Sequence, residues 1–486
     1  MENKVDESRA EADKGVTASM VSLHVKKEQI LGVRHLQVLF MFFCSLLGFQ
    51  MRVNVSVGVV AMTNANSSNP DFPEYNWSEF ERNYILSSFF WGNVFTQFLG
   101  GYVSSQYGAK YILFLSTLGV SIFTLITPFV IGNGSWQLFC GLRVFVGLFQ
   151  GVMYPSFYAH LARWSPSKER NILGGFITSG MELGTVLGFV LGGYISASSL
   201  GWPATFYIPG SIGIIWAILW LFFGANSPSE CKMISLAERK MIEKSSSENK
   251  KKNKKVPWKS IFTSGPYLTL LFVKITQAWS YQTLMLQLPT YIHGVLKQDV
   301  ATNALFSAIP YMITCLLSIS TVIFVDFLMR KNYITLTVLR KGLNSFASCV
   351  PAAAYIGLCF ISADDVIGNI VLLSVAVAAA SGQTIGSSLN HIDLSPNHAG
   401  LIYGITNTTI SLIGLLSPIV IGYIVTDSEN RSQWEIIFIM LAVLLLVGNF
   451  CYMIFGRMTV QPWNDNEEES QSKDIDQNKP KAEVLI

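Results

Sequence analysis

The chain has 486 residues, of which 50% are hydrophobic and 13% are charged, and its formal net charge is +3. Soluble domains carry about 25% charged residues. This composition therefore excludes an ordinary soluble globular protein and indicates a protein whose main solvent is lipid.

Apolar runs of about 20 residues, the length that crosses a bilayer as a helix, recur twelve times along the chain. Their centres are Leu47, Gly92, Gly119, Gly147, Thr185, Ile214, Trp279, Leu316, Ser348, Val377, Leu412 and Leu444. We predict an all-α membrane protein with twelve transmembrane helices in two six-helix bundles. The expected division is an N-terminal tail (1–35), a first bundle (36–224), a basic linker (225–264), a second bundle (265–457) and a disordered acidic tail (458–486).

The loops alternate in charge. Lys and Arg residues cluster after the fourth span and in the linker run "NKKKNKK", and basic loops remain cytoplasmic. Both termini and the linker are therefore expected in the cytoplasm, and we interpret the basic run as a solvated linker with no nucleic-acid partner. The sequons at Asn66, Asn76 and Asn133 fall in loops predicted outside, where N-glycosylation is expected. We expect a monomer in the plasma membrane and not in a lysosomal or vesicular membrane.

The fourth span contains Arg143 among apolar residues. At about 100° per residue, Arg143, Gly147, Gln150 and Tyr154 form one stripe. An arginine at the bilayer centre costs about 3 to more than 10 kcal/mol, and it is retained where it faces a bundle interior or a cavity. Pro155 removes a backbone donor beside this stripe, so a bend is expected there.

The first span contains a second such arginine, Arg52, on one face with Gly48 and Ser56. Two guanidinium groups, each a donor fork suited to carboxylate or phosphate, predict an anion-binding site. The alternative is that each arginine pairs with an internal acid and only holds the bundle together.

The fifth span carries both an acid and a ridge of glycines. Gly180, Gly184, Gly188 and Gly192 recur every four residues, a spacing that lets transmembrane backbones approach closely. This ridge predicts tight packing, although a pivot for rocking would need the same surface. Glu182 either neutralises an arginine or binds a coupling cation, and the sequence leaves both open.

The seventh span contributes Lys274, which is near a helix end and is expected to extend toward the membrane surface. Within the sequence there is no paired nucleophile and base, no metal-ligand motif and no phosphate-binding loop. We therefore expect neither enzymatic activity nor a cofactor.

Several motifs together resemble the anion:cation symporter family of the major facilitator superfamily, which includes sialin, the vesicular glutamate transporters and the sodium/phosphate cotransporters. They are "GFQMRVNVSVGVVAMTN", "SSFFWGNVFTQFLGGYV", "GLFQGVMYPSFYAHLARWSPSKERN", "LPTYI", "LNHIDLSPNHAGLIYGITNT" and "FGRMTVQPW". The resemblance runs from about Gly48 to Trp463. It implies the two-bundle fold of that superfamily, substrate binding by Arg52 and Arg143, and a cavity position for Tyr154.

The departures from the family pattern concern the substrate. Gln150 stands where proton-coupled members have glutamate. Its amide is expected to hydrogen-bond the substrate, but it does not titrate, which excludes proton coupling through this position. Leu86 and Gln277 stand where the glutamate-transporting members have histidine and arginine, so a dicarboxylate is a poor candidate. Gln277 and Tyr281 remain candidates for lining the cavity.

The resemblance is closest in character to the inorganic phosphate cotransporter group. We expect a secondary active transporter of inorganic phosphate or an organic anion, with sodium or a proton as the co-substrate. The alternative is a voltage-driven anion uniporter or channel-like conductance, and a non-transporting membrane receptor is a third possibility.

Overall fold

The structure is a computed structural model that describes residues 32–64, 68–132, 135–166, 169–247, 256–331 and 333–464. The sequons at Asn66 and Asn133, the basic run of the linker and both tails beyond these ranges lie outside the described residues. Asn76 is described and is exposed, as an N-glycosylation acceptor must be.

Every long element of the described chain is helical, which confirms the all-α prediction. The first half comprises α1 (Val33–Met62), α2 (Glu79–Tyr107), α3 (Lys110–Ile131), α4 (Trp136–Gly151), α5 (Met153–Trp164), α6 (Arg170–Ala197) and α7 (Gly201–Phe223). Two short helices, α8 (Leu236–Ser247) and α9 (Trp258–Phe262), follow in the linker. The second half comprises α10 (Gly265–Gly294), α11 (Val300–Arg330), α12 (Leu336–Phe360), α13 (Val366–Ala379), α14 (Asn390–Leu394), α15 (Ala399–Ile424) and α16 (Arg431–Phe455).

These helices form twelve spans. Ten helical segments of the described chain are long and apolar enough to cross a membrane. The other two spans, α2 and α10, have 29 and 30 residues but carry more polar side chains. Because each half holds an even number of spans, Gly32, the linker and Asn464 lie on one side of the bundle, which we call the terminal side.

Two spans are interrupted within the membrane. The fourth span breaks at Val152, between α4 and α5, where Pro155 lacks the N–H that would continue the helix toward Gly151. The tenth span passes from α13 through a 3₁₀ turn (Ala380–Gly382) and a π turn (Thr384–Ser388) into α14. Such π segments occur frequently at functional sites.

The glycine ridge of α6 packs against α1, which confirms the prediction of tight packing. A Cβ atom at Gly184 would overlap the backbone oxygen of Leu46, and one at Gly180 would lie 2.6 Å from the backbone oxygen of Phe42. A Cβ atom at Gly192 would have no neighbour closer than 3.7 Å. The two helices are therefore closest at Gly180 and Gly184 and lie further apart at Gly192.

Gly184→Ala is expected to lower the free energy of unfolding by about 1–3 kcal/mol, because the added methyl group meets rigid backbone. Gly192→Ala is the matched control and is expected to change stability little. Thermal unfolding of the purified variants in detergent measures both. Equal stability of the two variants would contradict the close approach at Gly184.

The linker is fixed to the first half by a buried ion cluster. Arg34, at the start of α1, donates to Glu238 of α8 at 3.0 Å and to Glu169 at 2.8 Å. Glu238 also accepts from the backbone N–H groups of Val33 and Arg34. The described part of the linker is therefore docked on the bundle and is not only a solvated connection.

The two halves meet mainly through three helix pairs of the described chain, α6 with α11, α2 with α15 and α1 with α10. Opposite the terminal side, Asn64 bonds His293 at 2.9 Å and Gln287 bonds Asn83. Gly193 lies against Ala304, so close that an added Cβ atom would overlap it. These contacts between halves close the bundle on the side opposite the termini.

Candidate functional site

A cavity of about 310 Å³ lies between the two halves, on the terminal side of the contacts that close the bundle. Tyr158 and Tyr403, one from each half, lie edge to face with ring centroids 6.3 Å apart and are 50% and 38% exposed. The polar residues of its lining are Arg52, Asn93, Gln97, Tyr154, Tyr158, Glu182, Lys274, Tyr281, Gln282, Thr314, Ser318, Ser381, Gln383, Thr384, Ser388, Tyr403, Asn407 and Ser411.

Arg52 lines this cavity from α1. Its guanidinium carbon lies 5.2, 4.9 and 4.8 Å from the ring centroids of Phe49, Phe89 and Phe90. Its Nη2 donates to Gln282 Oε1 of the other half at 3.3 Å, and its Nε has no hydrogen-bond partner among the described residues. Aromatic faces stabilise a cation without consuming its donors, so the fork of Arg52 remains available to a ligand.

Arg143 lies next to Arg52 but is not part of the cavity lining. Its guanidinium carbon is 5.0 Å from the ring centroid of Phe89, so this ring lies against both arginines. The side chain is buried, and its Nε has no hydrogen-bond partner within the described chain. Among the described residues neither arginine forms an ion pair with an acid.

The remaining residues of the Arg143 stripe divide into two environments. Gln150 is completely buried, and neither its amide nitrogen nor its oxygen has a hydrogen-bond partner in the described ranges. A Cβ atom on Gly48 would lie 3.0 Å from that nitrogen, so the absence of a side chain at residue 48 makes room for the amide. Tyr154 reaches the cavity lining, with its ring edge-on to Phe49, and its hydroxyl has no hydrogen-bond partner among the described residues.

Glu182 lines the cavity from α6. Its Oε2 is buried without a hydrogen-bond partner, and the carboxylate has no basic partner within the described residues. The sequence left two interpretations of Glu182 open. Among the described residues Glu182 forms no ion pair with an arginine, so it does not neutralise one there. An unpaired carboxylate in a cavity fits the other interpretation, a group that takes up a cation.

Lys274 does not extend toward the membrane surface, and that expectation was wrong. Its side chain is 8% exposed and lines the cavity, where Nζ donates to Ser388 Oγ at 2.9 Å. Hydropathy alone gives no signal for this placement, because the contact depends on Ser388 of the tenth span facing α10. The π turn at Thr384–Ser388 provides that geometry.

The two cavity candidates on α10 also differ. Tyr281 lines the cavity, with its ring centroid 6.2 Å from that of Tyr311. Gln277 is not among the lining residues and is buried within the second half. Its amide donates to Asn344 at 2.9 Å and accepts from Ser387 at 2.9 Å, so both of its polar atoms are engaged.

A polar contact between the halves forms another part of the cavity wall. Ser411 of α15 donates to Gln97 of α2 at 2.7 Å and lies 3.4 Å from Asn93. The sequence analysis did not single out these residues. The sequence feature that could have identified them is the polar content of α2, where Asn93 and Gln97 are four residues apart on one helix face.

The site thus has an excess of positive charge without acidic partners. Arg52, Arg143 and Lys274 contribute three buried cations, and Glu182 contributes one acid. A cavity between two helical halves, closed on one side and lined by Arg52 and Lys274, defines a membrane transporter for an anionic or organic solute.

A sequence model described as Major Facilitator Superfamily matches residues 38–418. The chain therefore belongs to the major facilitator superfamily, and its relatives place it in the anion:cation symporter family. It is a transporter, a class of protein that is not enzymatic.

Relatives support this assignment over most of the chain. A Drosophila melanogaster protein described as "Putative inorganic phosphate cotransporter" is 31% identical and covers 93% of this chain and 90% of its own. Human "Sialin" is 31% identical and covers 88% and 90%. Human "Vesicular glutamate transporter 2" is 29% identical and covers 89% and 75%.

Solved structures share the fold. An inward-facing bacterial homologue of the human lysosomal transporter Spinster has a TM-score of 0.65 at 15% identity and covers 88% of this chain and 99% of its own. The inward-open xylose transporter of E. coli has a TM-score of 0.65 at 16% identity, with coverage of 87% and 96%. At these identities the likeness supports the fold alone.

Proposed function

We propose that the protein is a secondary active transporter of small anions, inorganic phosphate or organic, that is coupled to sodium or another cation and works by alternating access. The observation that carries this proposal is the guanidinium of Arg52, which lines a cavity between two halves and has no acidic partner among the described residues. A buried cation that needs a counter-charge favours an anion as its ligand.

Glu182 is the proposed site of the coupling cation, because its unpaired carboxylate lines the same cavity as Arg52. A bound sodium ion or proton neutralises this acid and increases the attraction of the cavity for an anion. The relatives include proteins named as cotransporters, which agrees with coupling. We further propose that the terminal side faces the cytoplasm at the plasma membrane.

Replacement of sodium by an inert cation is expected to abolish concentrative anion uptake. The measurement uses purified protein in liposomes, a panel of labelled anions that includes inorganic phosphate, and inward sodium or proton gradients applied separately. The coupling ion is the one whose gradient alone drives uptake.

The second candidate function, a voltage-driven uniporter, is favoured by Gln150, which cannot titrate and leaves one fewer coupling group near Arg143. Uptake that persists without any cation gradient and follows the membrane potential would support the uniporter. Liposomes that move no anion under any gradient would reject both functions.

A further inference from the structure

The positive charge of the cavity is spread over both halves. Arg52 belongs to α1 of the first half, and Lys274 belongs to α10 of the second. Lys274 is 8% exposed and has no acidic partner within the described residues. Burial of an ammonium without a counter-charge costs free energy, so its position beside the cavity favours a negatively charged ligand there.

The ammonium of Lys274 has donors to spare. Lysine carries three N–H donors, and Ser388 Oγ accepts one of them at 2.9 Å. The neighbouring His391 does not compete for Ser388 Oγ. Its two ring nitrogens lie 2.8 Å from the backbone oxygen of Ser388 and 3.0 Å from Thr406 Oγ1. Ser388 thus holds the ammonium at the cavity wall and leaves the other donors open.

The two cations are well separated along the cavity. Arg52 bonds Gln282, which is eight residues beyond Lys274 on the same helix. At 1.5 Å per residue, this spacing places the two backbone positions about 12 Å apart along the helix axis, with Lys274 nearer the terminal side. Residues this far apart along α10 favour a ligand that extends along the cavity over a compact one.

We infer that Lys274 binds the second negative group of an elongated organic dianion whose first group lies on Arg52, and that Lys274 thereby selects against monoanions and against inorganic phosphate. The inference rests on the proposed function and deepens it. The charges agree with a dianion, since Arg52 and Lys274 are the two cations of the described cavity lining and the coupling cation neutralises Glu182. It also reverses the expectation, drawn from Leu86 and Gln277, that a dianion is a poor substrate.

The aromatic lining suits the body of such a molecule. Phe49, Tyr154 and Tyr281 line the same cavity as the two cations, and their rings offer apolar faces to a carbon chain. Because the two negative groups would contact opposite halves, binding of the dianion would also draw the halves together.

The test compares dicarboxylates of increasing length with their monoamides, which keep the shape and remove one charge. The probes are succinate, adipate and suberate with succinamate, adipamate and suberamate, and their dissociation constants are measured by calorimetry on the purified full chain with sodium present. For wild type, the longer diacids are expected to bind at least about tenfold more tightly than their monoamides, a difference of about 1.4 kcal/mol.

Lys274→Gln keeps a donor for Ser388 but removes the charge. It is expected to reduce the ratio of monoamide to diacid dissociation constants to about one, while monoamide binding is retained. Lys341→Gln removes a cation of the second half that bonds the backbone oxygen of Met453 outside the cavity, and it should keep the wild-type ratio. Lys274→Arg should keep a preference for the diacid.

Three results would overturn the inference. They are wild-type protein that does not distinguish any diacid from its monoamide, Lys274→Gln that keeps the preference, and Lys274→Gln that weakens inorganic phosphate and monoanions as much as diacids. In each case uptake of phosphate or monoanions that depends on Arg52 would leave the proposed function standing. If no anion is moved and Arg52→Ala changes nothing, the proposed function fails as well.

Discussion

Arg52→Ala is expected to reduce anion uptake at least about 100-fold, while the protein still reaches the membrane. Truncation of one partner of a buried charged pair costs about 2–5 kcal/mol, and each factor of ten corresponds to about 1.4 kcal/mol. Stability is expected to change little, because the guanidinium contacts Phe49, Phe89 and Phe90 and forms no ion pair with the part of the chain that the structure describes. Labelled-anion uptake into liposomes, normalised to inserted protein, measures the effect.

Three further variants compare the role of Arg52 with those of other arginines and test whether charge alone is sufficient. Arg52→Lys keeps the charge and loses the planar fork, so partial uptake with weaker substrate affinity is expected. Arg143→Ala should reduce affinity without abolishing uptake, since Arg143 lies behind Phe89 and does not line the cavity. Arg239→Ala, which breaks an exposed pair with Glu243, is the control. Near-normal uptake by Arg52→Ala would reject the anion site.

Glu182→Gln is expected to uncouple transport from the cation gradient. The amide keeps the size of the side chain and its place in the cavity, but it can neither take up a proton nor offer a full negative charge to sodium. Concentrative uptake is expected to fall at least about tenfold. Counterflow exchange, which needs no cation gradient, should persist because Arg52 is unchanged.

Glu81→Gln provides a matched control for this substitution. Glu81 accepts from the N–H of Ser78 in a capping box outside the cavity, and glutamine preserves that arrangement. Concentrative uptake by Glu81→Gln should therefore equal that of wild type. If Glu182→Gln retains full cation-driven uptake, the coupling ion binds elsewhere.

Some features of the structure could be predicted from the sequence and others could not. The helical spans and the close packing of the glycine ridge on α6 follow from local properties, because apolar length and the spacing of Gly180 and Gly184 need no knowledge of neighbours. The predicted placement of Lys274 was wrong for the opposite reason. A lysine of given depth in a span has the same hydropathy whether it faces lipid headgroups, a cavity or another helix.

Gln277 and Gln150 make the same point. Both are polar residues on transmembrane helices, and periodicity treats them alike. Packing gives Gln277 two partners, Asn344 and Ser387, and leaves the amide of Gln150 with none among the described residues. Only the positions of the surrounding helices distinguish an engaged amide from a free one.

The sequence by itself determined that the protein has twelve apolar spans and that two of them contain an arginine, because a charge in lipid is costly and stands out against the composition of a span. The tertiary structure alone decided which charges share a cavity. Arg52 and Lys274 are more than 200 residues apart in the chain, and they line one cavity because the two halves pack face to face. Long-range packing of this kind depends on contacts between helices, and no local pattern records it.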